Sequence, residues 1–193
     1  MSKRPREERR AKIAVIGAGG WAQGWHLPNL SARDDADIVA IVDPQELTNS
    51  IYNKDMLPLG ALAQKYGGVA TYSSVDALLA DERVHVDGVL CSSNHATHYD
   101  IGVKVLEAGK HLMMEKPMTT DVEEARALYD AAQAHPELCF VLNNTANWAA
   151  GCVRAAELVA EGRVSTSAAT NETSCQSPPL ASALSLLPIN SHN

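Results

Sequence analysis

The chain has 193 residues, 46% of them hydrophobic, and a formal net charge of -7, enough apolar material for one good core and at most part of a second domain. The negative charge argues against a nucleic-acid partner, because binding phosphates needs a basic field. No apolar run reaches the roughly 20 residues needed to cross a membrane, and no apolar segment follows the basic start to make a secretory signal, so small-molecule partners in a cytoplasmic setting are expected.

Residues 1–11 carry Lys3, Arg4, Arg6, Arg9 and Arg10 and read as a flexible basic leader, the alternative being a nuclear-import or nucleic-acid patch. Beyond them, short apolar runs alternate with segments of helical period. That alternation is the signature of βαβ units and of a parallel sheet covered on both faces. It predicts strands over residues 12–16, 37–42, 69–72, 86–91, 111–114 and 138–142. Residues 44–55 form a polar stretch longer than an ordinary loop and read as an insertion at the rim of the sheet.

Helix ends are marked as well. Ser74 caps a helix over residues 75–79, Asn94 or His95 opens one that runs to Ala108 and stops at Gly109, and Asp121 opens another through Ala134, closed by Pro136. A last helix is predicted over residues 149–161, with Val153, Ala156, Leu158 and Val159 on or near one side and Gly162 at its end. Residues 165–193 contain no Lys or Arg and one acid, Glu172. They read as a disordered low-complexity tail, since they bury too little apolar surface to offset their ordering entropy. The expected organisation is a Rossmann-type, doubly wound α/β domain over residues 12–145, a fragment of a second α/β domain over 146–164, and the tail.

Cys91, Cys139, Cys152 and Cys175 are scattered, without the paired spacing of a metal site, so no metal is expected. Cys91 and Cys139 fall in apolar runs and are expected as buried, reduced thiols, which suits the cytosol.

The first predicted strand runs straight into Gly17-Ala18-Gly19-Gly20-Trp21-Ala22. Gly17 permits a tight strand-to-helix turn, Gly19 lets the backbone approach a pyrophosphate, and Ala22 is small enough for helix and strand to pack closely. The free amides of the helix start, with Gly20 and Trp21, then face the phosphates. The second strand ends in Asp43, 26 residues past Gly17. A carboxylate there accepts hydrogen bonds from the adenosine ribose and repels a 2′-phosphate, which favours NAD over NADP; the alternative is a helix cap or an Asx turn before Pro44. Two further strand ends are polar: Ser92-Ser93-Asn94-His95-Ala96-Thr97-His98 after the fourth, and Glu115-Lys116-Pro117 after the fifth. Together with the glycine loop they line one crevice.

On these pieces, and on Leu106-Glu107-Ala108-Gly109-Lys110-His111 between them, the sequence resembles the glucose-fructose oxidoreductase and inositol dehydrogenase family, Gfo/Idh/MocA, over roughly residues 12–164. The resemblance implies an NAD-dependent oxidoreductase acting on a hydroxyl of a sugar, polyol or related small molecule. It implies that Ser92, Ser93, His95, His98 and Glu115 contribute to the cofactor site, although His98 equally suits a cap that packs its own helix. It also implies that Lys116 holds the substrate hydroxyl beside the nicotinamide and assists proton removal, the alternative being a surface salt bridge with Glu115. In the family a second domain forms the substrate wall, mediates oligomers and supplies an Asp-x-x-x-His pattern. No such pattern follows Lys116 here, and the change near Ser165 reads as a truncation, an altered reading frame or a splice variant. Weak or absent turnover is therefore expected. The rival expectation is a catalytically silent nucleotide-binding or partner-binding module.

Overall fold

The apolar runs of this chain are apolar at odd and even positions alike, as a sheet buried on both faces demands. In the computed structural model, which describes residues 9–48 and 55–163, each inner strand divides its side chains between two cores. Strand β1 (Ala11–Ile16) sends Ala14 and Ile16 to one face and Val15 to the other. The same division recurs in β2 (Ala36–Val42), with Ala40 and Val42 opposite Ile41. The edge strand β3 (Ala70–Tyr72) is only partly buried. In β4 (Gly88–Cys91), Val89 and Cys91 lie opposite Leu90, and in β5 (His111–Glu115), Leu112 and Met114 lie opposite Met113. The other edge strand, β6 (Phe140–Asn143), is half-buried except at Asn143.

All pairings are parallel and the strand order is β3-β2-β1-β4-β5-β6, so the direction of winding reverses between β1 and β4. This is the doubly wound Rossmann arrangement. A π-helical turn (Ala22–His26), continued by α1 (Leu27–Ser31), and α2 (Leu59–Lys65) cover one face through Ala22, Leu27, Leu59 and Leu62. On the other face α3 (Val75–Leu79), α4 (His98–Glu107) and α5 (Val122–Ala134) contribute Val75, Leu78, Val105, Leu106 and Leu128.

Several helix ends form as their residues predict. The Ser74 hydroxyl accepts from the Ala77 amide at 3.1 Å, and Asp121 accepts from the amides of Glu123 and Glu124 at 2.8 and 3.1 Å. Gly109, at φ 69°, closes α4 with paired bonds from the Lys110 amide to Val105 and from its own amide to Leu106.

Other boundaries move. Asn94 caps a 3-10 turn (His95–Thr97), and α4 starts only at His98. Strand β6 begins two residues later than expected, which leaves Cys139 exposed instead of buried; Cys91 is buried as expected. Helix α2 was not predicted: it has seven residues and no capping side chain, too short to establish a period.

The chain divides into two compact units after Asn143. In the second, a 3-10 turn (Thr145–Trp148) precedes α6 (Ala150–Ala160), none of whose residues is buried. The first eight residues of the basic leader, residues 49–54 of the expected insertion and the Ser-rich tail lie outside the described residues.

Candidate functional site

Parallel strands deliver whatever follows their carboxyl ends to one rim, and the loops after β1 and β4 diverge there because the winding reverses between them. The Gly17 amide donates to the Val42 carbonyl at 2.8 Å and the Ser92 amide to the Ile16 carbonyl at 2.7 Å, so three strand ends are stitched side by side. Gly17 has φ 91°, and a Cβ on it would lie 2.6 Å from the Ser92 carbonyl oxygen. No other residue fits that turn. At Gly19, among the described residues, a Cβ would meet nothing nearer than Thr48 Cγ2 at 4.0 Å.

From Gly20 onward the chain is helical. The first amides of a helix have no intrahelical acceptor, and the helix dipole adds partial positive charge at that end. Gly20 and Trp21 therefore open the helix, while Ala22, fully buried, packs against the sheet. Gln23 fixes the loop from below: its Nε2 donates to the carbonyls of Ala18 and Leu57, and its Oε1 accepts from the Leu57 amide at 3.0 Å.

Asp43, buried at the end of β2, holds the same loop from the side. Its Oδ2 accepts from the Ala18 amide at 2.8 Å and from the Thr48 hydroxyl at 3.3 Å, and its Oδ1 accepts from the Gln45 amide at 2.9 Å. The Asx-type contact is thus made, and among the described residues three donors use the roughly four acceptor positions of the carboxylate.

After β4, Ser92 and Ser93 are half-buried and His95 is exposed. The Ser93 hydroxyl is engaged within its own loop, 2.9 Å from the Thr97 hydroxyl and 3.3 Å from Cys91 Sγ. His98 is fully buried. Its Nδ1 donates to the Pro117 carbonyl at 2.8 Å, which ties the start of α4 to the turn after β5, and its Nε2 has no partner among the described residues.

At the end of β5, Glu115 turns inward while Lys116 is exposed. Glu115 Oε1 accepts from Asn143 Nδ2 at 2.6 Å, His26 Nε2 at 2.8 Å and Trp21 Nε1 at 2.9 Å. Burial pushes the Glu115 carboxyl upward, but the hydrogen bonds from Asn143, Trp21 and His26 outweigh it and hold the group below its ordinary value. Glu115 Oε2 accepts from the Lys116 amide at 3.2 Å. No salt bridge joins the Lys116 ammonium to Glu115, which is paired instead with His26. The Lys116–Pro117 peptide is cis.

Gln23 and Asn143 were not singled out from the sequence as site residues; His26 reads from the sequence as a packing residue on the first helix, the alternative being one that reaches the cofactor, and it is buried against Glu115. The signal they carry is weak: polar side chains at positions where the helix start and the sixth strand turn toward the core. Among the described residues no group of three or more His, Cys, Asp or Glu is placed to hold a metal ion, and no helix is long and apolar enough to cross a membrane.

The model of the Gfo/Idh/MocA oxidoreductase family, NAD-binding Rossmann fold, matches residues 11–143. D-glucoside 3-dehydrogenase of Escherichia coli is 34% identical over 122 residues, which are 63% of this chain and 31% of that protein. The crystal structure of scyllo-inositol dehydrogenase from Lactobacillus casei with bound NAD(H) and scyllo-inositol aligns at a TM-score of 0.66 with 21% identity, over 81% of this chain and 42% of that one. KijD10, a 3-ketoreductase from Actinomadura kijaniata in complex with NADP and TDP-benzene, aligns at 0.64 with 24% identity, over 81% and 44%. The chain thus spans less than half the length of each of these three proteins.

Proposed function

The chain belongs to the Gfo/Idh/MocA oxidoreductase family, whose NAD-binding Rossmann domain occupies residues 11–143, and on that premise we propose that it binds NAD in preference to NADP for the oxidation of a sugar or polyol hydroxyl. The observation that carries this reading is a shared rim. The helix-start amides follow β1, Asp43 follows β2 on one side, and Lys116 follows β5 two strands away on the other. A dinucleotide laid across that rim has its adenosine ribose over β2, its pyrophosphate at the helix start and its nicotinamide half over β4 and β5.

Each end then has work suited to its residues. The buried Asp43 carboxylate accepts a ribose hydroxyl and repels a 2′-phosphate, which supports NAD. Lys116, exposed at the rim, holds the substrate hydroxyl and assists the departure of its proton. Bound NAD supplies the hydride acceptor. Ser92, Ser93, His95 and His98 belong to the nicotinamide side in this reading, His98 by anchoring the turn that carries Lys116. The similarity to D-glucoside 3-dehydrogenase supports a sugar hydroxyl as the reacting group.

Titration calorimetry with NADH and NADPH tests the cofactor assignment: NADH binds, and NADPH binds at least tenfold more weakly. No heat with either, or tighter binding of NADPH, would overturn it. The 193 residues contain no Asp-x-x-x-His after Lys116, so this chain alone is expected to bind cofactor with little turnover. Oxidation of a polyol at ordinary rates, on the order of 10 per second, would contradict that part.

A further inference from the structure

We propose that Glu115 is the positioning residue of this site, fixing the strand end that bears Lys116 relative to the phosphate loop. The inference rests on the cofactor reading above and extends it to a buried carboxylate that joins three elements of the fold. Glu115 is 8% exposed. Its Oε1 takes donors from three places in the fold: Trp21 at the helix start, His26 one turn further on and Asn143 at the end of β6. Because a carboxylate only accepts, His26 presents Nε2–H to it. With three donors, Oε1 has no capacity left for a ligand.

A buried carboxylate satisfied in this way behaves as a rigid node. If any one element moves, a charge with few remaining donors is left in a poorly solvating place. Lys116 is the next residue, and its amide is held by Glu115 Oε2 at 3.2 Å. Trp21, on the other side of the node, directly follows Gly19 and Gly20. The distance between the pyrophosphate-binding amides and the Lys116 strand end is therefore set through Glu115. A dinucleotide that bridges the two feels this setting. Its adenosine diphosphate half, seated between Asp43 and the helix start, does not.

That difference supplies the test. In the full chain, Glu115→Gln keeps the shape and an oxygen for the Oε1 donors, but removes the charge and turns an amide N–H toward the Lys116 amide. Its affinity for NADH falls about tenfold while its affinity for ADP stays within about twofold. The indole N–H resonance of Trp21, which reports the carboxylate contact directly, shifts in the same variant. Asn143→Ala removes the 2.6 Å contact from a neighbouring strand and shifts NADH binding in the same direction by a smaller factor. It carries the test if Glu115→Gln does not fold.

Unchanged NADH affinity in a folded variant overturns the inference. So does an equal loss of NADH and ADP binding, which marks general destabilisation instead of positioning. Wild-type protein that binds neither ligand overturns the cofactor reading, and this inference with it; wild-type binding with an indifferent variant overturns the inference alone.

Discussion

At the scale of single residues, the proposed site sets a buried carboxylate at each of two strand ends, Asp43 after β2 and Glu115 at the end of β5. Asp43→Asn keeps an oxygen for the Ala18 amide but removes the negative charge. It is expected to weaken NADH binding by roughly tenfold and to narrow the gap between NADH and NADPH, read by titrating both. Glu115 gives an acid signature. Its folded pKa lies below the ordinary 4.5, so its contribution is complete above that value and is lost as pH falls through the lower, folded value. Thermal melts are expected to fall off below about pH 4.5, and the fall is expected to be shallower in Glu115→Gln, which has no proton to take up there. Gly17, Asp43 and Lys116 were legible in the sequence because each is an unusual residue type at the end of an apolar run. The partners of Glu115 were not, since His26 and Asn143 lie 89 and 28 residues away from it along the chain.

At the scale of elements, the two-sided burial of the strands makes small changes costly. Gly17→Ala forces a side chain into left-handed backbone and against the Ser92 carbonyl. It is expected to cost about 2–3 kcal/mol or more and to abolish detectable NADH binding, measured by denaturant melts and calorimetry on the same sample. Leu128, fully buried on α5, packs that helix into the core beside Gly102 of α4. Leu128→Ala is expected to cost about 2–5 kcal/mol in the same melts, with NADH affinity retained in whatever remains folded, because α5 bears no part of the rim. The inner strands and the caps at Ser74, Gly109 and Asp121 could be read from local chemistry. Helix α2 and the ends of β6 could not, because a short helix and an edge strand take their limits from the neighbours they pack against.

For the molecule as a whole, cofactor and fold are coupled by mass action. A ligand that binds only the folded state at a hundred times its dissociation constant stabilises it by about 2.7 kcal/mol. NADH at that excess is expected to raise the melting temperature of the first unit by roughly 5–10 °C, and Gly17→Ala is expected to lose that increment. The alternation of strands and helices, the glycine turn and the acid at the second strand end were set by the sequence itself. They depend on local geometry: apolar runs, missing Cβ atoms and residue types at known offsets. Only the tertiary structure decided that Glu115 faces inward to Trp21, His26 and Asn143 while Lys116 stays exposed. Adjacent residues at a strand end can face either way. Which one is buried depends on donors that reach it from a helix start and a neighbouring strand, and those donors become neighbours only when the sheet is assembled.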